Sequence, residues 1–284
     1  MNKLFQIGDF CFSLSYPAQI TPPPNFMIFE VPEGQPEYAY TITLTEQLPT
    51  PEGEVCARRA DIQVFRSGTL EHRLIGVKGI PGYYACYQER SDTGAEIFLD
   101  RTRIGELNID PVFSSLLALE RRLVEKKAMI LHCAYVKHRG EAILFSAPSE
   151  TGKTTQANLW EQYRGSRTIN GDKSLLQRVN GRWTAQGWPV CGTSEICHNL
   201  ATPIKAIVML SQGKSDQVRI MSPAEAFSQL YSQITVNTWN RSFVQRNMDQ
   251  IAALMGEVPV YHLACTISEQ AVACLETALY QEEL

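Results

Sequence analysis

Nine consecutive residues hold the densest chemistry in this chain: Ala147-Pro148-Ser149-Glu150-Thr151-Gly152-Lys153-Thr154-Thr155. They follow the apolar run Ile143-Leu144-Phe145 and precede a stretch with Ala157, Leu159 and Trp160 at helical spacing. A strand, a tight glycine turn and a helix start aim successive backbone N–H groups at one point. The helix N-terminus adds partial positive charge, so the expected ligand is a phosphate. The order of residue types is that of a Walker A loop. Ser149, Glu150, Thr151, Gly152 and Thr155 would wrap the phosphates, Lys153 would reach the β- and γ-phosphates, and the Thr154 hydroxyl would ligate Mg²⁺. ATP and Mg²⁺ are therefore the expected cofactors, and phosphoryl transfer the expected reaction. Ala147 stands where the first glycine is usual, and Glu150 puts negative charge beside a polyphosphate.

Two further residues have chemistry that suits this loop. Asp172 follows the β-prone Thr168-Ile169-Asn170, and a carboxylate at a strand's end beside a phosphate loop can hold Mg²⁺ or take a hydroxyl proton. As a residue of Asn170-Gly171-Asp172 it is equally a turn former. His132 lies in the apolar run Met129 to Val136, where a hydrogen-bonded core histidine is the alternative. The segment Gly187 to Asn199 mixes glycines, small hydroxyl residues and an exposed-looking Trp188, and suits an acceptor-binding loop or a plain connection. Arg219, Arg241 and Arg246 could each clamp a phosphate or carboxylate, or be solvated surface arginines.

The elements that must position these residues are legible from periodicity. Residues 1–105 read as a β-rich module, a small antiparallel sheet. Its short runs are Phe10–Leu14, Met27–Val31, Tyr38–Leu44, Ile62–Phe65, Tyr83–Tyr87 and Ile97–Leu99, punctuated by proline and glycine turns. Residues 106–284 alternate strands and helices, an α/β domain. A helix is expected from Asp110-Pro111 to about Lys127 and strands over Met129–Val136 and Ala142–Ala147. A helix over Lys153–Tyr163 and a short strand over Thr168–Asn170 follow. Ser174–Val179 and Arg182–Gln186 form a hairpin about Asn180-Gly181. Beyond it lie a strand over Ile204–Leu210, a helix opened by the capping box Ser222-Pro223-Ala224-Glu225, and a helix over Ser242–Met255. A strand over Val258–Ala264 and a helix over Ser268–Tyr280 complete the domain.

The segment Leu131 to Asp172 resembles the HPr kinase/phosphorylase family. More closely it is similar to the broader group of HPr-kinase-related proteins, which shares a P-loop core with ATP-dependent phosphoenolpyruvate carboxykinases. The likeness rests on Leu131-His132-Cys133, on Lys153-Thr154 and on Asn170-Gly171-Asp172-Lys173. It extends loosely from about Asp110 to the C-terminus. It implies His132 near the phosphoryl-transfer centre, and Thr154 and Asp172 near Mg²⁺. The family's kinases often have paired aspartates where this chain has Asp172-Lys173. The arginine-glycine signature of true HPr kinases is absent, the nearest segment being Gln186-Gly187-Trp188-Pro189. HPr itself is therefore not the expected substrate, and the acceptor is a hydroxyl of a small molecule or a peptide.

A net charge of −4 argues against nucleic acid as the main partner. No apolar run approaches the ~20 residues that span a bilayer. The N-terminus lacks the basic start and long apolar centre of a signal peptide, so cytoplasmic residence is expected and no membrane partner. Eight scattered cysteines with no Cys-x-x-Cys pair point to reduced, packed thiols. A homo-oligomer is neither required nor excluded. The expected activity is that of an ATP-dependent kinase. The competing readings are a nucleotide-responsive binding module that has lost catalysis, favoured by Ala147, Glu150 and the single aspartate, and a phosphorylase or carboxykinase-like enzyme.

Overall fold

The computed structural model describes residues 1–281. The chain forms two compact units, Met1–Arg122 and Leu123–Leu284, so the division falls inside a helix rather than at residue 105.

The first unit runs β1 (Asn2–Ile7), β2 (Phe10–Ser15), α1 (Pro24–Met27), β3 (Glu30–Val31), β4 (Tyr38–Thr45) and β5 (Glu54–Arg58). It continues with β6 (Ile62–Ser67), β7 (Leu70–Gly76), β8 (Tyr83–Ser91), β9 (Gly94–Asp100), a 3₁₀ segment over Arg101–Asn108, and α2 (Asp110–Ser115). Its strands form one nine-stranded sheet in the order β3-β1-β2-β4-β9-β8-β7-β6-β5. It is neither small nor purely antiparallel, because β2–β4 and β4–β9 pair parallel. Met27 to Val31 is not a strand. Pro24 starts α1, since its fixed φ suits a first helical turn, and only Glu30–Val31 pairs. Alternation along β1, β2 and β4 buries Phe5, Phe12 and Tyr40, and the Phe26 ring lies 4.8 Å from both Phe5 and Phe113.

A second, ionic core sits in this unit. Glu89 is 2% exposed and accepts from the Arg121 guanidinium (Nη2–Oε2 2.7 Å), from Arg122 and from the Glu71 backbone N–H (2.8 Å). Arg73 bridges Glu71 and Glu120, each at 2.7 Å. Burial opposes charge on Glu89, and the two arginines outweigh it, so its carboxyl is held below the usual range.

The helix expected from Asp110 to Lys127 is broken. α2 ends at Ser115 and α3 spans Leu119–Glu125, because Ala118 takes a left-handed φ of 47° between them.

The second unit continues with β10 (Met129–His138), β11 (Glu141–Ser146), α4 (Lys153–Arg164), β12 (Arg167–Asn170), β13 (Lys173–Val179) and β14 (Arg182–Gln186). After these come β15 (Thr202–Gln212), β16 (Gln217–Ile220), α5 (Pro223–Gln233), α6 (Arg241–Met255), β17 (Val260–Cys265) and α7 (Glu269–Tyr280). The sheet order is β11-β10-β13-β14-β15-β17-β16, with β11 also paired to β15 and β12 to β10. The pairings β11–β10–β13–β14–β15–β11 close a circuit. β11 and β15 of this circuit and β17 beside it run parallel, so their carboxyl ends lie side by side. The hairpin at Asn180-Gly181 is present, both residues at positive φ as a type I′ turn requires.

Each face of this sheet is covered. Leu131, Leu144, Ile207 and Met209 pack with Leu230, Ile251 and Leu254 of α5 and α6. Val136, Ile143, Phe145 and Val208 pack with Trp160 of α4 and Leu275 of α7. The chain is thus a mixed α/β protein with two large sheets. β16, absent from the periodicity reading, is a four-residue edge strand. The helix starts at Pro223 as expected, with half of the capping box formed: Glu225 accepts from the Ser222 backbone N–H and also pairs with Arg219, while the Ser222 side chain makes no cap.

The two kinds of ion pair in the first unit predict different costs. Glu89→Gln leaves two buried guanidinium groups short of a counter-charge and should destabilise by about 3–5 kcal/mol. Glu96→Gln, which removes the exposed partner of Arg90, should cost about 1 kcal/mol or less. Urea unfolding of the two variants checks the contrast.

Candidate functional site

β10 carries a neighbour on each edge. Along one edge run β12 and β13, paired with Tyr135–Lys137 and with Met129–His132 on either side of the Asp172 turn, and along the other runs β11, paired from Cys133 onward. Cys133 is therefore flanked by Ser146, at the end of β11 where the Gly152-Lys153 loop begins, and by Asp172, at the start of β13. Ser146 Oγ donates to the His132 carbonyl (2.8 Å), and Cys133 N–H donates to the Asp172 carbonyl (2.9 Å).

The loop makes its turn through two left-handed residues, Glu150 at φ 66° and Gly152 at φ 118°. Glycine takes that conformation freely, whereas glutamate stores strain of about 1–3 kcal/mol. Pro148, Ser149, Glu150 and Thr154 are exposed; Thr151 and Thr155 are half-buried. Lys153 is buried, and its Nζ donates to the carbonyls of Ala147 (3.0 Å) and Pro148 (3.3 Å). Burial lowers its pKa, with Asp172 pulling the other way. α4 rises from Gly152 and ends at Gly165, also left-handed.

Asp172 and His132 meet, with Nδ1 3.3 Å from Oδ1, and Lys173 Nζ lies 3.9 Å from the other carboxylate oxygen. Burial raises the Asp172 pKa. The His132 bond, then the charges of Lys173, His132 and Lys153, outweigh it, so the carboxyl is held below its ordinary value. His132 is not a histidine bonded to a core carbonyl. Its Nε2 is buried and has no hydrogen-bond partner.

Asn170 fixes Asp172 in place, a role that the turn reading of Asn170-Gly171-Asp172 only half reveals. Fully buried, it accepts the N–H groups of Asp172 and Lys173 on Oδ1 (both 2.9 Å) and donates from Nδ2 to Trp188 (2.8 Å) and Val190 (3.2 Å) carbonyls. The 187–199 segment is thereby drawn onto the Asp172 turn. A β-carbon at Gly171 would lie 2.1 Å from Ser194 Oγ, and one at Gly192 would lie 3.4 Å from Asp172 Oδ1. Trp188 is buried rather than exposed. Arg219 is occupied by Glu225, and the Arg246 guanidinium lies 5.9 Å from the Phe243 ring centroid on α6.

Two clefts flank the loop. One, of about 550 Å³, is bounded by Glu150–Gly152, Thr155 and Gln156 on one side and by 212–213 and 265–267 on the other. The second, of about 480 Å³, runs from Pro148–Thr151 to Ser211 and His262, which are bonded at 3.0 Å. Neither the Ser211–His262 pair nor Gln156 stood out in the sequence, because each lies far along the chain from its partners. Among the described residues no group of three or more His, Cys, Asp or Glu side chains could hold a metal ion by itself, and no helix is long and apolar enough to cross a membrane. All eight cysteines are thiols outside any disulfide.

The Asp172 turn should be fragile at Asn170. Asn170→Ala strips two N–H groups of their acceptor and two carbonyls of their donor, and should cost about 2–4 kcal/mol. Chemical denaturation reads the loss. Asp172, whose carboxyl is depressed in the folded state, adds stability that is present above the ordinary carboxylate pKa and lost as pH falls through the lower folded value. Asp172→Asn should therefore flatten the acid limb of the stability curve, checked by thermal melts from pH 7 downward.

Comparison with known proteins gives one family. The family model described as SynChlorMet cassette protein ScmC matches residues 99–279. No curated protein matches the chain in sequence. Among solved structures, the Hpr(Ser) kinase/phosphatase from Coxiella burnetii is similar at 10% identity and a TM-score of 0.31, over 54% of this chain and 94% of that one.

Proposed function

The chain belongs to the SynChlorMet cassette protein ScmC family, and we propose that it is a P-loop kinase that binds ATP with Mg²⁺ at the Ser149–Thr155 loop and transfers the γ-phosphoryl group to a hydroxyl. One observation carries the reading. β10 and the strands on its two edges bring a buried lysine, a depressed carboxylate and a histidine with an unpaired ring nitrogen beside one glycine loop at the start of a helix.

The residues fit such a ligand. The buried Lys153 ammonium is held by loop carbonyls, a placement from which it can serve an anion entering the turn. Thr154 is exposed at the second helical position. A single hydroxyl and a single carboxylate are too few to cage a metal alone. That suits Mg²⁺, which keeps waters and shares substrate phosphates. Thr154 and Asp172 would hold the ion; when bound it neutralises charge on the phosphate oxygens.

In this reading Lys153 and the loop N–H groups stabilise charge on the transferring group. The His132–Asp172 pair faces the acceptor. With its pKa held low, Asp172 is ionised near neutral pH and can orient a hydroxyl and accept its proton, and His132 fixes the carboxylate through Nδ1. The 187–199 segment, seated on the Asp172 turn, forms the acceptor side. The acceptor is a small molecule or a peptide hydroxyl. Glu150, strained and exposed at the loop, favours the second reading, a binding module in which nucleotide is held without turnover.

Mg²⁺–ATP should raise the melting temperature by mass action, and Lys153→Ala should abolish most of the rise. Asp172→Asn should keep the fold but lose at least ~100-fold in ATP turnover with acceptor present. Calorimetry and an ADP-release assay measure both. A normal rise with no turnover in the wild type across hydroxyl acceptors selects the binding module. An unchanged rise in Lys153→Ala removes the loop as the nucleotide site.

A further inference from the structure

We propose that the 550 Å³ cleft beside the loop is a recognition site for the aromatic base of the nucleotide, with Ile267 packed on the base's face and the Gln156 amide reading its polar edge. The proposal rests on the nucleotide reading above and adds which part of the molecule goes where.

The loop gives the ligand a direction. Asp172 and His132 lie on the β10 side of β11, so the transferring phosphate belongs there. The other side of β11 is occupied by β15 and β17, and it is their carboxyl-terminal turns, 212–213 and 265–267, that wall the cleft. A nucleotide whose terminal phosphate faces Asp172 leaves the loop past Thr155, and Thr155 lines this cleft.

The lining has the chemistry of a neutral, flat, polar heterocycle. Glu150 is its one charged residue, and it belongs to the loop end. Ile267 is 79% exposed at the rim, the most exposed large apolar side chain among the described residues. An isolated apolar platform of this kind gains from covering by a ring. Gln156 is 2% exposed. It is held to the opposite wall by Nε2 bonds to Cys265 Sγ (3.2 Å) and Thr266 O (3.4 Å), and its Oε1 has no partner. An unpaired buried amide oxygen is costly, and an exocyclic amino group on a base can supply the missing donor after a small turn of the amide. Those features select an amino-bearing base, adenine above hypoxanthine. The volume lies within the range of small-molecule sites. The Asp216 carboxylate anchors the far wall by accepting from Thr266 N–H (2.7 Å) and the Thr266 hydroxyl (3.0 Å), so the site is preformed.

The test compares three probes with Mg²⁺ by calorimetry: ADP, inosine diphosphate and inorganic tripolyphosphate. The wild type should bind ADP at least ~10-fold more tightly than inosine diphosphate. Ile267→Ala should weaken ADP by ~5-fold or more and leave tripolyphosphate unchanged, since Ile267 is exposed and its loss spares the fold. Gln156→Leu, nearly isosteric, should erase the preference for ADP over inosine diphosphate. The base site is overturned, with the loop reading intact, if Lys153→Ala abolishes binding of all three probes while Ile267→Ala and Gln156→Leu bind ADP as the wild type does. Failure of the wild type to bind any probe overturns both.

Discussion

The second unit depends on one strand, β10, which carries β12 and β13 along one edge and β11 along the other. An antiparallel ladder fixes side-chain facing residue by residue, and a slip of one position would turn every side chain to the opposite face. Here the register with β13 places His132 opposite Lys173, and the register with β11 places Cys133 opposite Ser146. These two pairings set the carboxyl end of β11 and the first residues of β13 at the same level of β10. The glycine loop and Asp172 lie on opposite edges of one strand, and the hydrogen bonds Ser146–His132 and Cys133–Asp172 fasten both to it.

Asn170 extends this constraint outward. A fully buried amide can be tolerated only when its donors and acceptors are satisfied. It meets that condition by tying the Asp172 turn to the carbonyls of Trp188 and Val190. Gly171 then allows an approach to Ser194 that a β-carbon would block. The side chain that organises the site is thus a structural one, and Asp172 inherits both its position and its environment from it. Lys173, Lys153 and His132 surround a carboxylate that burial alone would have pushed toward neutrality.

The core strands of the second unit, its hairpin and the loop were legible because they depend on local pattern. Apolar runs, a glycine-lysine turn and an Asn-Gly pair each determine a few residues at a time. What escaped was set by contacts distant in sequence. The mixed pairing of the nine-stranded sheet requires β4 to lie between β2 and β9, and no periodicity encodes that neighbour choice. Ala118 breaks a helix whose apolar spacing runs straight through it. Glu225 has the spacing of a capping box and accepts from the Ser222 N–H, and its bidentate pairing with Arg219 is a further contact that the local spacing does not encode. Trp188 looked exposed amid glycines and is buried because Asn170 holds its carbonyl from eighteen residues away. The candidate site was legible as a set of residue types. Its geometry was not, since the meeting of His132 with Asp172 is a consequence of the register between β10 and β13.

The two units solve the problem of buried charge in opposite ways, and the difference bears on function. In the first unit Glu89, Glu71, Arg73, Arg121 and Arg122 satisfy one another inside a sheet. Such a set is self-contained, and its charges are spent on structure. In the second unit the buried charge is left incomplete. Lys153 is held by carbonyls, Asp172 meets a histidine whose Nε2 is unpaired, and Gln156 presents an oxygen without a donor. Buried polar atoms without a partner also occur elsewhere, as at Tyr40, Trp160 and Trp183, and two of them, His132 Nε2 and Gln156 Oε1, lie on either side of the loop. In the proposed reading a triphosphate with an amino-bearing base would serve the whole loop: its phosphates would take the lysine, its terminal end would approach the Asp172–His132 pair, and its base would meet the glutamine.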